Sequence, residues 1–341
     1  MSQTIDDTAN AEKPSLIDGF NRSIAYLRLS VTDRCDFRCQ YCMAEDMTFL
    51  PRSEVLSLEE LARVARVFVD LGVRKIRVTG GEPLVRNGVD GLLQEIGKLE
   101  QLDELAITTN ASQLAQRATK LRDAGVRSLN ISLDTLEADS FKRITRTGDL
   151  ARVLAGIDAA VTAGFERIRL NAVILKGQNE NQILPLSAYA IARGIDIAYI
   201  EEMPLGQVNA AGKALELVTS DRVLDILRAA HTLEEVTSQA HAGPARYFCV
   251  AGSRSRIGVI SPHSNNFCSS CNRLRVTAEG QLLLCLGNEH AISLRDIMRD
   301  GASDQALADA IRQALHYKPE RHVFDQPDEP QILRFMNASG G

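Results

Sequence analysis

The sequence contains no uninterrupted apolar run near the ~18 residues that a membrane-spanning helix needs. Its first residues, MSQTIDDTANAEKPSL, are polar and acidic where an export signal would be basic and then apolar. No membrane partner is expected, and the chain is expected in the cytoplasm. There is no basic excess either: 39 Lys and Arg stand against 44 Asp and Glu, a net charge of −5. This excludes a bulk field for nucleic acid, so any anionic ligand must meet a local basic site. Cysteine is sparse and odd in number, seven in 341 residues. A disulfide scaffold is thereby excluded, and metal binding becomes the first question.

What remains is ordinary globular composition, 45% hydrophobic and 24% charged. The length fits two domains or one large α/β domain with an extension. We divide the chain into a polar lead (1–22), a repeating β/α region (23–203) and a C-terminal part (204–341). The middle region alternates strand-like and helix-like runs and reads as six β/α repeats. Ser57 and Glu60 form a capping box, Leu61, Val64, Ala65 and Phe68 recur at helical spacing, and Gly72 ends the helix. A strand over 73–79 is predicted next, with further helix ends near Gly125, Gly164 and Gly194 and strands over 127–134, 167–175 and 195–203. Helices are predicted near 220–230 and 304–315.

Residues two apart on a strand share a face. One face is apolar, with Leu27, Leu29, Ile76, Val78, Leu105, Ile107, Leu129, Ile131, Ile168 and Leu170. The other carries Arg28, Ser30, Arg77, Thr79, Thr108, Asn130, Ser132, Arg169 and Asn171. A closed eight-stranded barrel fills its interior with branched apolar side chains. A polar, basic interior points instead to an open, partial TIM-like β/α barrel holding an anion near the C-terminal strand ends. A doubly wound sheet with solvated edges is the alternative.

Cys35, Cys39 and Cys42 cluster directly after the first strand, where a barrel carries its catalytic loops. Three thiolates suit zinc or an iron–sulfur cluster with one metal position open, and the spacing favours the cluster. Gly80-Gly81-Glu82-Pro83 follows the second strand, and its glycines let backbone groups approach a ligand. Cys268, Cys271 and Cys285 form a second trio. Structural zinc there needs a fourth ligand, for which His263, His290 or Cys249 are candidates; Cys249 also reads as a lone buried cysteine. Without a fourth ligand, this too is an open cluster. Arg273 and Arg275 share one side of a strand, and with Arg28, Arg77 and Arg169 they suggest a polyphosphate.

The spacing Cys-x-x-x-Cys-x-aromatic-Cys, with Tyr41 as its aromatic, resembles the signature of radical S-adenosylmethionine enzymes. In those enzymes the trio holds a [4Fe–4S] cluster whose free iron chelates S-adenosylmethionine, and one electron cleaves the sulfonium to methionine and a 5′-deoxyadenosyl radical. Together with RVTGGEP, NISLD, IEEMPLG, CNRLRV and a terminal Gly340-Gly341, residues 20–341 resemble the GTP 3′,8-cyclase family of molybdenum cofactor (molybdopterin) biosynthesis. The resemblance implies two [4Fe–4S] clusters, the first on Cys35, Cys39 and Cys42, the second on Cys268, Cys271 and Cys285 and ligating the guanine. It implies S-adenosylmethionine contacts from Tyr41, Gly80, Gly81, Glu82, Thr108, Ser132, Arg169 and Met203. It implies GTP contacts from Arg28, Arg77, Arg273, Arg275, Gly340 and Gly341, with Arg273 and Arg275 also acting in catalysis.

The implied reaction takes the ribose 3′ hydrogen, joins C3′ to guanine C8 and, after reduction, gives 3′,8-cyclo-7,8-dihydro-GTP. Implied partners are a cyclic pyranopterin monophosphate synthase, an electron donor such as flavodoxin or ferredoxin, and a second copy in a homodimer. Two departures stand out: Ala198, where the family often carries arginine, and the lead into the Gly-Gly tail, Phe335-Met336-Asn337-Ala338-Ser339, smaller than the usual apolar approach. A peptide-modifying radical enzyme with an auxiliary cluster is the nearest rival, but it has no need of five arginines aimed at one anion. A zinc-binding or electron-transfer protein would explain the cysteines and leave the barrel loops and basic interior without a role.

Overall fold

The computed structural model describes residues 15–203, 205, 216–236, 243–322, 324 and 334–340. A short hairpin, β1 (Leu16–Ile17) and β2 (Ser23–Ile24), precedes β3 (Tyr26–Ser30). Then come α1 (Leu58–Asp70), β4 (Lys75–Thr79), α2 (Val89–Gly97), β5 (Glu104–Thr109), α3 (Leu114–Asp123), β6 (Ser128–Ser132), α4 (Ala138–Thr145), α5 (Leu150–Ala163), β7 (Arg167–Ile174), α6 (Ile183–Ala192) and β8 (Asp196–Glu201). The C-terminal part adds α7 (Ser220–Arg228), β9 (Leu233–Val236), β10 (Arg246–Val250), β11 (Arg256–Ile260), β12 (Arg273–Val276), β13 (Gln281–Leu283), β14 (Ala291–Ser293), α8 (Leu294–Arg299), α9 (Asp304–Ala314) and α10 (Met336–Ser339).

Strands β3 to β8 are parallel neighbours in sequence order, the six expected repeats. The fold is an open, partial β/α barrel. Its sheet continues past both ends into C-terminal strands: β12 lies parallel to β3, and β11 lies parallel to β8. Among the described residues the sheet therefore has twelve strands in the order β14-β13-β12-β3-β4-β5-β6-β7-β8-β11-β10-β9.

The capping box forms as the sequence implies: the Ser57 hydroxyl accepts from Glu60 N and the Glu60 carboxylate accepts from Ser57 N. Strand β7 begins at Arg167 as expected, whereas β4, β6 and β8 begin one or two residues later than expected. Val73 N–H donates to Phe68 O, Val126 N–H to Leu121 O and Ile195 N–H to Ala190 O, each reaching back five residues to close the preceding helix. Gly72, Gly125 and Gly194 between them take positive φ of 103°, 91° and 66°, the left-handed turn that such a helix end requires. The apolar strand face packs with the helices into one core that includes Leu27, Val78, Ile107, Ile131 and Leu170. That leaves the polar face to line the barrel interior.

Candidate active site

The loop after β3 is pinned from several sides. Gly81 N–H donates to Thr32 O and Glu82 N–H to Arg34 O, both at 2.8 Å, so the Gly-Gly turn is stitched to the loop just ahead of Cys35. A Cβ on Gly80 would overlap Thr32 O, and one on Gly81 would overlap Arg34 O, so only glycine permits this approach. The Glu82 carboxylate does not face the interior cavity. It accepts from Leu84 N (3.0 Å), Thr109 Oγ1 (2.8 Å) and Asn110 N (2.7 Å), fixing the turn from behind. Burial, reinforced by nearby Asp36 and opposed by those donors, raises it to about 7. Asp36 in turn accepts from Asn110 Nδ2 (2.7 Å) and Ser112 Oγ (2.6 Å). Burial pushes the Cys42 thiol up to about 12 and holds Cys35 and Cys39 well above the usual thiol range.

Inside the barrel, Arg275 on β12, Arg28 on β3 and Arg77 on β4 are register partners across three adjacent strands, where neighbours lie about 4.8 Å apart. Asn130 stands between Arg77 and Arg169, its amide oxygen accepting from both guanidinium groups. Burial lowers Arg28, Arg77 (to about 10) and Arg275 from the usual arginine range. Burial alone would raise Tyr26, yet Arg77, Arg28 and Lys75 together draw its hydroxyl down to about 7. A tyrosine is pulled toward ionisation because this interior is short of negative charge.

Cys268, Cys271 and Cys285 face the same space. Burial raises the Cys268 and Cys285 thiols, opposed by the backbone of His322 at Cys268 and of Gly287 at Cys285. Lys318 Nζ lies 3.6 Å from Cys271 Sγ. Burial opposes charge on Cys271, but Arg273 and Lys318 outweigh it and bring this thiol to about 7. The C-terminal segment closes the site from below: Gly340 O accepts from Arg275 Nη1 (2.5 Å) and Arg28 Nη1 (3.5 Å), and Met336 N–H donates to Cys42 O (3.2 Å). Gly341 lies outside the described residues.

One cavity of about 700 Å³ joins these parts. Both cysteine trios, Arg28, Arg77, Arg169, Arg273 and Arg275 line it, as do Tyr41, Gly80, Gly81, Thr108, Ser132 and Met203. A radical S-adenosylmethionine superfamily model matches residues 29–189, and one described as molybdenum cofactor synthesis C matches residues 195–324. GTP 3′,8-cyclase 2 of Pseudomonas aeruginosa is 55% identical over 327 residues, covering 96% of this chain and 98% of that protein. The chain belongs to the GTP 3′,8-cyclase family. Another relative, a GTP 3′,8-cyclase of Marinobacter nauticus, is 56% identical with the same coverage. A crystal structure of Streptococcus suis SuiB bound to S-adenosylmethionine shares the fold, with a TM-score of 0.61 at 17% identity over 94% of this chain and 78% of that one.

The residues fit the groups that a GTP 3′,8-cyclase carries, two [4Fe–4S] clusters and S-adenosylmethionine. Buried Arg28 Nε, Arg77 Nε and Thr108 Oγ1 have no hydrogen-bond partner among the described residues, as donors waiting for a polar ligand would. Three free cysteines stand at each end of the cavity, and iron would deprotonate their thiols outright. Among the described residues no three His, Cys, Asp or Glu side chains are drawn together tightly enough to grip a single ion; the fit rests on donor chemistry and the shared wall. The alternative fourth ligands do not line the cavity. His263 Nε2 lies 2.9 Å from Glu202 O and His290 is exposed. Cys249, read from sequence as buried, is exposed, because it alternates with Phe248 and Val250, which take the core side of β10.

Sequence reasoning missed Asp134, which accepts from the Tyr41 hydroxyl at 2.8 Å, Tyr247, whose hydroxyl meets Arg169 Nη1 at 2.5 Å, and buried Lys318. Single polar residues in apolar strands and loops carry no periodic signal. The nearest available sign was the interruption of otherwise apolar text, as at Asp134 after NISL. Ala198 is fully buried on the interior side of β8, beside Ala245 and Ile260 and with Tyr247 packed against them.

Proposed function

We propose that this chain converts GTP to 3′,8-cyclo-7,8-dihydro-GTP, the first step of molybdenum cofactor biosynthesis. The observation that supports this most directly is the single cavity that opposes two cysteine trios across a row of buried arginines. When bound, the first cluster and S-adenosylmethionine supply the hydrogen-abstracting chemistry; everything else is positioning by the chain. Tyr41, Gly80, Gly81, Thr108, Ser132, Arg169 and Met203 orient S-adenosylmethionine on the Cys35, Cys39 and Cys42 side, while Glu82 braces the glycine turn. Arg28, Arg77, Arg273 and Arg275 bind the triphosphate, since guanidinium forks match phosphate oxygens and a row of buried cations wants a polyanion between them.

Gly340 closes the substrate site beside Arg28 and Arg275, and Cys268, Cys271 and Cys285 hold the guanine end through their cluster. Fixing ribose C3′ against both the cofactor and guanine C8 raises effective concentration, and the enclosed wall keeps water from the reacting carbon. A pterin-forming synthase takes the product, a flavodoxin or ferredoxin provides electrons, and the protein works in the cytoplasm, as a homodimer. Among the described residues no helix is long and apolar enough to cross a membrane. A peptide substrate is not favoured, because the relatives and the second family model agree on the nucleotide reaction over nearly the whole chain.

The test is an anaerobic, reduced incubation with S-adenosylmethionine and GTP deuterated at ribose C3′. Deuterium in the 5′-deoxyadenosine is expected. Unlabelled 5′-deoxyadenosine, formed equally with and without GTP by enzyme carrying both clusters, would rule out GTP as substrate. Cys268→Ser and Arg273→Ala are expected to abolish cyclisation more completely than uncoupled S-adenosylmethionine cleavage.

A further inference from the structure

Lys318 is 3% exposed. Its ammonium donates to Leu284 O (2.6 Å) and Arg273 O (3.2 Å) and lies 3.6 Å from Cys271 Sγ. Among the described residues no carboxylate forms an ion pair with it. A buried lysine is costly unless a negative charge answers it, and the group within reach that can carry one is the Cys271 sulfur, 3.6 Å from the ammonium. The segment that carries Lys318 is itself fastened to this trio. Arg22, paired with Asp18 at 2.6 Å, donates to Cys268 O, Pro319 O and Glu320 O.

The first trio has different surroundings. Asp36 Oδ1 lies 3.9 Å from Cys35 Sγ, and the Asp134 carboxylate stands at the Tyr41 hydroxyl between Cys39 and Cys42 in sequence. Arg38 Nη1 donates to Cys35 O at 2.6 Å much as Arg22 does to Cys268 O, so what sets the second trio apart is the buried Lys318 ammonium directed at a sulfur, Cys271 Sγ. Reduction adds an electron to a group already negative through its thiolates, so a buried cation beside it favours the reduced form.

We propose that Lys318 is a positioning residue of the second iron–sulfur centre, holding Cys271 in place and raising that centre's reduction potential. The inference rests on the reading of Cys268, Cys271 and Cys285 as ligands of a second cluster.

The experiment uses full-length chains loaded with iron and sulfide and titrated electrochemically with electron paramagnetic resonance as readout. A Cys35→Ala/Cys39→Ala/Cys42→Ala background isolates the second centre. Lys318→Gln keeps hydrogen-bond donors and removes the charge. It is expected to lower the reduction equilibrium constant of the second centre about tenfold, a shift of about 59 mV to more negative potential. Lys318→Arg is expected to restore the wild-type value, and the first centre, titrated in a Cys268→Ser/Cys271→Ser/Cys285→Ser chain, is expected not to move. An unchanged potential in Lys318→Gln with full iron would overturn the proposal, as would an equal shift in both centres. If Lys318→Gln holds no second cluster, Lys318→Arg decides: full iron at wild-type potential supports the role of the charge, and loss of iron there too refutes it. Wild-type chain that binds only one cluster's iron, unaffected by Cys268→Ser, would instead show that the two-cluster reading had failed.

Discussion

The hydroxyl of Tyr41 donates to the carboxylate of Asp134 at 2.8 Å, and the other carboxylate oxygen accepts from Val173 N–H at 2.9 Å. A residue between two cluster cysteines is thereby tied to the ends of β6 and β7. Burial raises the Asp134 carboxyl to about 6 against the pull of these two donors. Tyr41→Phe removes one of them and leaves the carboxylate less satisfied. The expected result is a loss of about 1–3 kcal/mol in chemical denaturation at pH 8, with cluster iron retained. Equal stability of the two proteins would show that the pair contributes nothing.

Glu82 predicts an unusual pH slope. Its folded value, about 7, lies above the ordinary 4.5, so the folded state holds a proton that the unfolded state gives up. The stability it contributes is fully present below pH 4.5 and is lost as pH rises to about 7, on the order of 3 kcal/mol over that window. Glu82→Gln is expected to flatten this part of the curve for the cluster-free protein. A slope identical to wild type would mean that the carboxyl is already ionised throughout.

Gly340 takes a φ of 77°, and a Cβ there would overlap the Thr79 side chain. Gly340→Val is expected to lift the tail from Arg28 and Arg275 and reduce cyclisation at least tenfold. Uncoupled 5′-deoxyadenosine formation, which does not require the nucleotide, is expected to stay within about twofold. Parallel loss of both reactions would argue that the tail instead supports the cluster loop.

Arg169 and Tyr247 come from strands 78 positions apart in sequence and meet at 2.5 Å. Tyr247 crosses the interior because its strand partner is Gly258, where a Cβ would press on the tyrosine ring. Tyr247→Phe and Arg169→Lys are each expected to weaken S-adenosylmethionine binding, and the double variant is expected to lose less than the two single losses combined, by about 1 kcal/mol. Strict additivity in calorimetric titrations would separate the two residues.

The parts legible in the sequence are those that repeat or crowd. Alternation along β3 to β7 assigned each residue of the arginine-bearing face correctly, since the period of two survives any error in strand ends. The cysteine trios are local, within eight and eighteen residues, and so are visible without a fold. The starts of β4 and β8 were less legible because Val73 and Ile195 look like strand residues while their N–H groups are spent closing helices. Asp134, Tyr247 and Lys318 escaped notice because each acts through a partner 47 to 93 positions away. Distance along the chain hides them, and only the folded sheet brings them together.

Strand β3 has β12 as a neighbour, so the row Arg275, Arg28, Arg77 joins residues from the beginning and the last quarter of the chain. During synthesis, β3 to β8 emerge first and can pair with one another in order, while β12 follows more than 240 positions after β3. Pairings of such long separation form late and slowly. A chain that stops before Arg275 therefore lacks the third arginine of this row. A product of interrupted translation that lacks β12 still contains Cys35, Cys39 and Cys42 while its arginine row stays incomplete, so the two halves of the interior are assembled at different times.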